Sequence, residues 1–231
     1  MLDLGCGDGR FTKILFGGSF NKIDLWGFDI SEKAVSIAKS QGIYKSVVVA
    51  DARYLPYPDH LFANVLSNSV LEHIVEEDRV LKEVSRVLKE GGRFIFTVPS
   101  ERFVKNLSIN DERYVEYLNK RLEHYHYHSP REWERLLRNH GLILEQYRYF
   151  IPKLAQLAWE KLFRFFTKKL QGYELSDFLG LKRIGMWFVM RLFSPTVFKI
   201  LLRKWYVLGT TDNGEGGALL IVARKVKDDK I

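Results

Sequence analysis

The chain has 231 residues, of which 46% are hydrophobic and 28% charged. That composition excludes a disordered or low-complexity polymer and suits one large domain with a substantial buried core. The formal net charge is +8 and Cys6 is the only cysteine, so an internal disulfide is excluded, a reducing compartment fits, and an anionic partner has to be considered.

The first element is a short apolar strand, Met1 to Leu4. It runs into glycines at alternate positions, Gly5, Gly7 and Gly9, with a helix-forming run from Phe11 to Phe16 directly behind them. Glycine allows positive φ and lets bare backbone approach a ligand, so a strand–turn–helix of this kind reads as a nucleotide-like cofactor site. The spacing G-x-G-x-G differs from the G-x-G-x-x-G dinucleotide fingerprint. Asp3 at the strand end and Asp8 inside the turn are also poor company for a pyrophosphate. The expected ligand carries positive charge and no phosphate, which describes S-adenosylmethionine, a sulfonium with an ammonium group.

Ile23 to Phe28 reads as a second strand ending at Asp29, followed by Ser31 as the N-cap of a helix to about Ser40, with Gln41-Gly42 as its stop. Val47 to Ala50 is a short buried strand that delivers Asp51 to the same edge. Phe62 to Leu66 is a fourth strand leading into Ser67-Asn68-Ser69-Val70-Leu71-Glu72-His73. A helix from about Glu76 to Lys89 ends at Gly91-Gly92, and Arg93 to Val98 forms a fifth strand before Pro99. Alternating strands and helices predict an α/β fold with a doubly wound, mostly parallel sheet whose ligands bind outside the carboxyl ends of its strands. Asp3, Asp29, Asp51 and Asn68 all fall at such ends. An acidic residue about 20 positions after a glycine loop is placed to accept hydrogen bonds from both ribose hydroxyls, and Asp29 occupies that place.

The stretches LDLGCGDGRF, GFDIS, ADARYLPYPDHLFANVLSNSVLEHI and LKEVSRVLKEGGRFIFTVPS follow one another in order over residues 1–100. In them the chain resembles a class I S-adenosylmethionine-dependent methyltransferase of the small-molecule branch that includes quinone-biosynthesis methyltransferases. The resemblance implies that Gly5, Gly7 and Gly9 form the floor under the methionine and ribose. Asp29 would then hold the ribose diol and Asp51 the adenine amino group beside the backbone of Ala52. Asn68 would lie near the methionine portion, and Asp3 and Ile30 complete the expected cofactor-binding set. Family members carry lid helices ahead of the glycine strand. Here Met1 already lies in that strand, so the expectation is that these helices are missing and that nothing resembling a signal peptide precedes the fold.

The resemblance continues more loosely to about residue 150. Ser129-Pro130-Arg131-Glu132 is a helix-start signature, the helix ends near Asn139-His140-Gly141, and Leu142 to Phe150 reads as a sixth strand. Relatives often carry a histidine shortly before such a Ser-Pro, and His124 is the best-placed match. His73, directly after Glu72, is the other candidate general base for an acceptor that must lose a proton. In the run His124-Tyr125-His126-Tyr127-His128, alternate histidines would share one face of a strand. No cysteine is nearby and no carboxylate pairs with them, so the sequence assigns no metal and leaves them as pocket lining or surface.

A seventh, antiparallel strand fits Ala218 to Arg224. The methyltransferase domain is therefore expected over 1–150 and 209–226, with a helical insertion over 151–208 that is far longer than an ordinary connection. That insertion holds eleven of the 36 basic residues and three of the 28 acidic ones, so the entire net charge falls within it. Lys153, Gln156, Glu160, Arg164 and Thr167-Lys168 recur at helical spacing as one polar stripe, while leucines, Trp159, Phe163, Phe165 and Phe166 fill the remaining circumference. Ser194-Pro195 opens a further helix through about Trp205. The most apolar stretch, Ile184 to Leu202, is interrupted by Arg191, Pro195 and Lys199, which argues against a membrane span. A broad apolar face with a basic rim instead describes a helix lying at an anionic membrane surface. Nucleic acid is disfavoured, because stacking platforms set aromatic residues among small polar ones. The expected function is methyl transfer to a small, hydrophobic or lipid-linked acceptor, in the cytoplasm and peripheral at the inner face of the membrane. The alternative is an inactive cofactor-binding or scaffold relative whose insertion is a packed cap or dimer interface.

Overall fold

A computed structural model describes residues 1–16, 23–109, 111–170, 173–174 and 215–226. The elements are β1 (Leu2–Leu4), α1 (Arg10–Phe16), β2 (Trp26–Asp29), α2 (Glu32–Ser40), β3 (Ser46–Val49), β4 (Phe62–Asn68), α3 (Glu77–Val87), β5 (Leu88–Pro99), α4 (Arg102–Lys105), α5 (Glu112–Leu122), α6 (Pro130–Asn139), β6 (Leu142–Phe150), α7 (Lys153–Thr167) and a last strand, β7 (Ala218–Lys225). A short 3-10 turn, Leu71–His73, lies between β4 and α3. The seven strands form one sheet in the order β3-β2-β1-β4-β5-β7-β6, parallel except for β7. The predicted sheet, with its antiparallel last strand, is the sheet observed.

Registers set the working edge. Leu4 pairs with Phe28 on one side and Ser67 on the other, Asp29 pairs with Val49, and Asn68 pairs with Thr97. Gly5, Asp29, the turn before Asp51, and Asn68 therefore leave the sheet at the same end. The strands that carry them are apolar on both faces, as a sheet covered on both sides requires. Leu2, Leu4, Val65, Phe94 and Phe96 are fully buried, as are Val80, Leu81, Val84 and Val87 on the inner face of α3. Phe94 and Phe96 stack at 4.5 Å, and Trp133 of α6 meets Phe96 edge-on at 5.0 Å.

Local signals act where the sequence places them. Ser31 caps α2 by accepting from the Ala34 N–H, and Gly42 follows at φ +70°. Ser129 and Glu132 form a reciprocal capping box with Pro130 at the first helical position of α6. Strand β5 differs from the reading: it begins at Leu88, where the helix was expected to continue to Lys89. Leu88 is already extended and pairs with Phe62, and the ladder shifts register before Asn64 pairs with Arg93. Pairing with β4 thus overrides the helix-forming character of Leu88 to Glu90.

Two compact units are present, one of 1–100, 118–148 and 219–231, the other of 101–117 and 149–218. In the second unit, helix α7 turns the middle of its polar stripe inward, while Lys153, Arg164 and Lys168 of the same stripe stay exposed. Gln156 and Glu160 are 2% and 0% exposed, whereas Leu154, Leu162 and Phe165 are 66%, 49% and 56% exposed. The Glu160 carboxylate accepts from the Ser108 N–H at 2.6 Å and its hydroxyl at 2.9 Å, and the Gln156 amide donates to the Phe103 carbonyl at 2.5 Å. These hydrogen bonds offset the cost of burying Glu160 and the Gln156 amide nitrogen, while Gln156 Oε1 is buried without a hydrogen-bond partner. The expected helix around Ser194-Pro195 and the apolar stretch Ile184 to Leu202 lie outside the described residues. Among the described residues, no helix is long and apolar enough to cross a membrane.

Candidate functional site

After β1 the chain adopts left-handed geometry three times, with φ of +67° at Gly5, +54° at Gly7 and +76° at Gly9. A Cβ at Gly5 would lie 2.5 Å from Val70 Cγ2, and one at Gly9 would lie 2.9 Å from the Tyr44 ring. Gly7 differs, because nothing lies within 4 Å of where its Cβ would be. Gly5 and Gly9 are thus fixed by packing as well as by φ, while the space over Gly7 is open to a ligand.

Asp29 stands at the end of β2 and ties this loop down. Its Oδ2 accepts from the Gly7 N–H at 2.8 Å and its Oδ1 from the Ser31 N–H at 2.9 Å. A carboxylate has about four lone-pair sites, so each oxygen retains capacity for a further donor such as a hydroxyl. Ile30, next in the chain, is 72% exposed, an apolar surface beside that carboxylate.

Asp3 is placed otherwise. It is 3% exposed, and its Oδ2 accepts from the Thr12 and Tyr44 hydroxyls, both at 2.6 Å. Burial raises its pKa, opposed by the two hydrogen bonds. Grouped with the cofactor residues in the sequence, Asp3 instead braces the start of α1 against Tyr44 beneath the loop. Cys6 is buried there too, and burial pushes its thiol up to about 12, which makes it a packing residue with little thiolate.

Asp51 is held by a neighbour that the sequence reading passed over. Its Oδ1 accepts from the Arg53 backbone N–H at 2.9 Å and Nε at 3.0 Å, and its Oδ2 accepts from Nη2 at 2.6 Å. Arg53 also pairs with Glu76. The hydrogen bonds from Arg53 hold the Asp51 carboxyl below the usual carboxylate range. Ala52 is buried behind it. At the end of β4, Asn68 Oδ1 accepts from the Thr97 hydroxyl at 2.8 Å, and Ser69 follows at φ +53°, a left-handed residue of the kind that clusters at functional sites.

His73 and His124, some fifty residues apart, come together with ring centroids 5.2 Å apart. The Glu123 carbonyl lies 3.0 Å from His73 Nδ1 and accepts its proton, which leaves the lone pair on Nε2. Tyr127 donates to Asn119 at 2.7 Å, so its oxygen accepts from His124 Nδ1 at 3.1 Å. Burial, with His73 beside it, lowers the His124 pKa to about 4. Glu72, a residue the sequence reading did not single out, is 3% exposed and burial raises it to about 7. The pair Glu72-His73 in the turn after β4 was the available signal. Ligating atoms of Glu72, His73 and His124 lie within 4.8 Å of one another, as do those of Glu77, His126 and His128.

Comparison with known proteins finds likenesses over part of the chain. Residues 2–96 match the family model described as a methyltransferase domain. Over 106 residues the chain is 35% identical to sarcosine/dimethylglycine N-methyltransferase of Halorhodospira halochloris, covering 44% of this chain and 38% of that protein. It is 32% identical over 97 residues to the ubiquinone/menaquinone biosynthesis C-methyltransferase UbiE of Burkholderia mallei, covering 40% of each. The chain thus spans well under half the length of these curated relatives. Among solved structures, Haemonchus contortus phosphoethanolamine N-methyltransferase 2 in complex with S-adenosyl-L-methionine superposes with a TM-score of 0.59 at 19% identity, over 98% of this chain and 48% of that one. That last likeness is one of fold.

Proposed function

We propose that the chain, whose residues 2–96 match a methyltransferase domain, is a class I S-adenosylmethionine-dependent methyltransferase that binds S-adenosylmethionine over Gly7 and methylates a small, hydrophobic or lipid-linked acceptor at a membrane surface. The observation that carries the reading is the open left-handed Gly7 tethered to the Asp29 carboxylate. The donor set fits the group: carboxylates of Asp29 and Asp51 face a cationic ligand that bears no phosphate, and the loop adds bare backbone.

When bound, S-adenosylmethionine supplies a methyl carbon activated by its positively charged sulfur. The chain's own work is alignment, holding an acceptor atom in line with that carbon and near van der Waals contact. Asp29 would hold the ribose diol, with the exposed Ile30 beside it. Asp51 and the Ala52 backbone would meet the adenine edge, and Asn68 would steady the methionine end. An oxygen acceptor must lose its proton, and His73 Nε2 carries the lone pair to take it. Glu72 and His124 adjoin His73, and the neutral state of His124 avoids a second cation beside a base about to gain a proton.

The exposed Leu154, Leu162 and Phe165 on α7, with the basic excess of 151–208, support contact with an anionic, apolar surface. The reading is tested by incubating the chain with S-adenosylmethionine and a panel of acceptors, with and without anionic vesicles, while following S-adenosylhomocysteine. Product from apolar acceptors above that from water-soluble ones supports it. Equal turnover on both, unaffected by vesicles, removes the membrane and lipid part and leaves the methyltransferase.

A further inference from the structure

The histidines at alternate positions acquire from the fold what the sequence lacked, a carboxylate. Glu77, the first residue of α3, lies beneath His126 and His128, about fifty residues away in the chain. His128 Nε2 is 2.6 Å from Glu77 Oε1, and His126 Nδ1 is 3.9 Å from the same oxygen. The two imidazoles stack with centroids 5.4 Å apart and planes 16° from parallel, and the nitrogen of each that faces Glu77 lies within 4 Å of the same carboxylate oxygen.

Two features distinguish this from an ordinary ion pair. His126 Nε2 lies 2.9 Å from the Ile74 carbonyl, which accepts its proton and thereby assigns the lone pair to Nδ1, the nitrogen that faces Glu77. A backbone carbonyl on the far nitrogen is the arrangement that orients metal-binding histidines. Glu77 is 7% exposed and its Oε2 is buried with no hydrogen-bond partner. A buried carboxylate oxygen left unpaired is costly, and a cation satisfies it. Both histidines keep about a fifth of their side-chain surface exposed, so an ion has a way in.

We propose that Glu77, His126 and His128 bind one zinc ion, with water completing four-coordination. Two imidazoles and one carboxylate are a borderline-soft donor set suited to this ion, and closing atoms already within 4.8 Å of one another onto bonds of about 2.0–2.2 Å needs only side-chain rotation. The ion fastens residues 124–128 to the start of α3, where the Tyr125 N–H already donates to the Glu72 carbonyl at 2.8 Å. His124, in the same segment, is thereby steadied against His73. The site is a clamp behind the candidate base and takes no direct part in methyl transfer.

The full chain, stripped with a chelator, is titrated calorimetrically with zinc chloride, and cobalt(II) is used in parallel for its absorption spectrum. One equivalent is expected. His126→Ala, His128→Ala and Glu77→Gln should each weaken binding about tenfold or more and abolish the four-coordinate cobalt band. His73→Ala and His124→Ala should bind like the parent. Affinity should be lower at pH 5.5 than at pH 7.5, because protons compete with the ion for its imidazole ligands. Glu77→Gln keeps the side chain's shape and decides the matter if a histidine variant fails to fold. Absence of stoichiometric binding, or binding indifferent to all three substitutions, overturns the site. Loss of binding on His73→Ala or His124→Ala overturns it as well, by moving the ion to the other cluster.

Discussion

Asp29 and Asp51 are both carboxylates at strand ends, yet their surroundings divide them. Asp29 accepts one backbone N–H on each oxygen, whereas Asp51 is engaged along its edge by Arg53. Under the proposed ribose assignment, Asp29→Ala would remove two charge-assisted bonds to a diol and also free Gly7, so it should weaken S-adenosylhomocysteine binding by about 2–3 kcal/mol, against about 1 kcal/mol for Asp51→Ala. Calorimetry on both variants checks the order, and equal losses would remove the ribose assignment. Glu72 gives a pH signature. Its folded pKa of about 7 lies above its ordinary 4.5, so its contribution is intact below about pH 4.5 and is lost as pH rises through 7, on the order of 3 kcal/mol. His124 acts oppositely: its pKa is lowered from 6.5 to about 4, so its contribution is present above 6.5 and lost as pH falls through 4. Glu72→Gln removes the first effect alone. It should raise stability relative to the parent at pH 8 but not at pH 4, as read by denaturant unfolding at the two values. Neither carboxylate–histidine grouping was legible beforehand. Glu72 and Glu77 meet the histidines across some fifty residues, a pairing set by how the 123–128 segment lies along the 72–77 turn, whereas Asp29 was legible because strand, glycine loop and spacing are local.

At the scale of elements, the glycine loop is the most exacting. Gly7→Val forces a branched residue into φ +54° and fills the open space above the loop, so it should abolish cofactor binding while the far-ultraviolet spectrum of the sheet persists. Unchanged affinity would make the loop a turn and nothing more. Helix α7 is the element whose periodicity was legible and whose orientation was not. Its polar stripe spells out an amphipathic helix, but hydrogen bonds from Ser108 to Glu160 and from Gln156 to Phe103 bury the middle of that stripe while Lys153 and Arg164 stay exposed, and no property of residues 153–167 alone carries that information. Glu160→Ala should therefore destabilise the chain by about 1–3 kcal/mol. Leu162→Asp, at a position 49% exposed, should stay within about 0.5 kcal/mol of the parent by thermal unfolding.

For the whole molecule, the mostly parallel sheet and the common edge of Gly5, Asp29 and Asn68 followed from the alternation of elements and the positions of glycines and carboxylates. The antiparallel last strand was legible through the family resemblance, and the order of strands was not legible at all. The basic excess confined to 151–208 is what supports the proposed attraction of the insertion to an anionic surface. Co-sedimentation with anionic vesicles should weaken as salt rises and fall further with Lys168→Glu or Leu162→Asp. A chain left in the supernatant with lipid in excess makes the second unit a packed cap. Everything rests on the cofactor. The intact chain titrated calorimetrically with S-adenosylmethionine and with S-adenosylhomocysteine is predicted to bind one equivalent of either, with the affinity for both reduced in Asp29→Ala. A correctly folded chain that takes up neither compound would contradict the account.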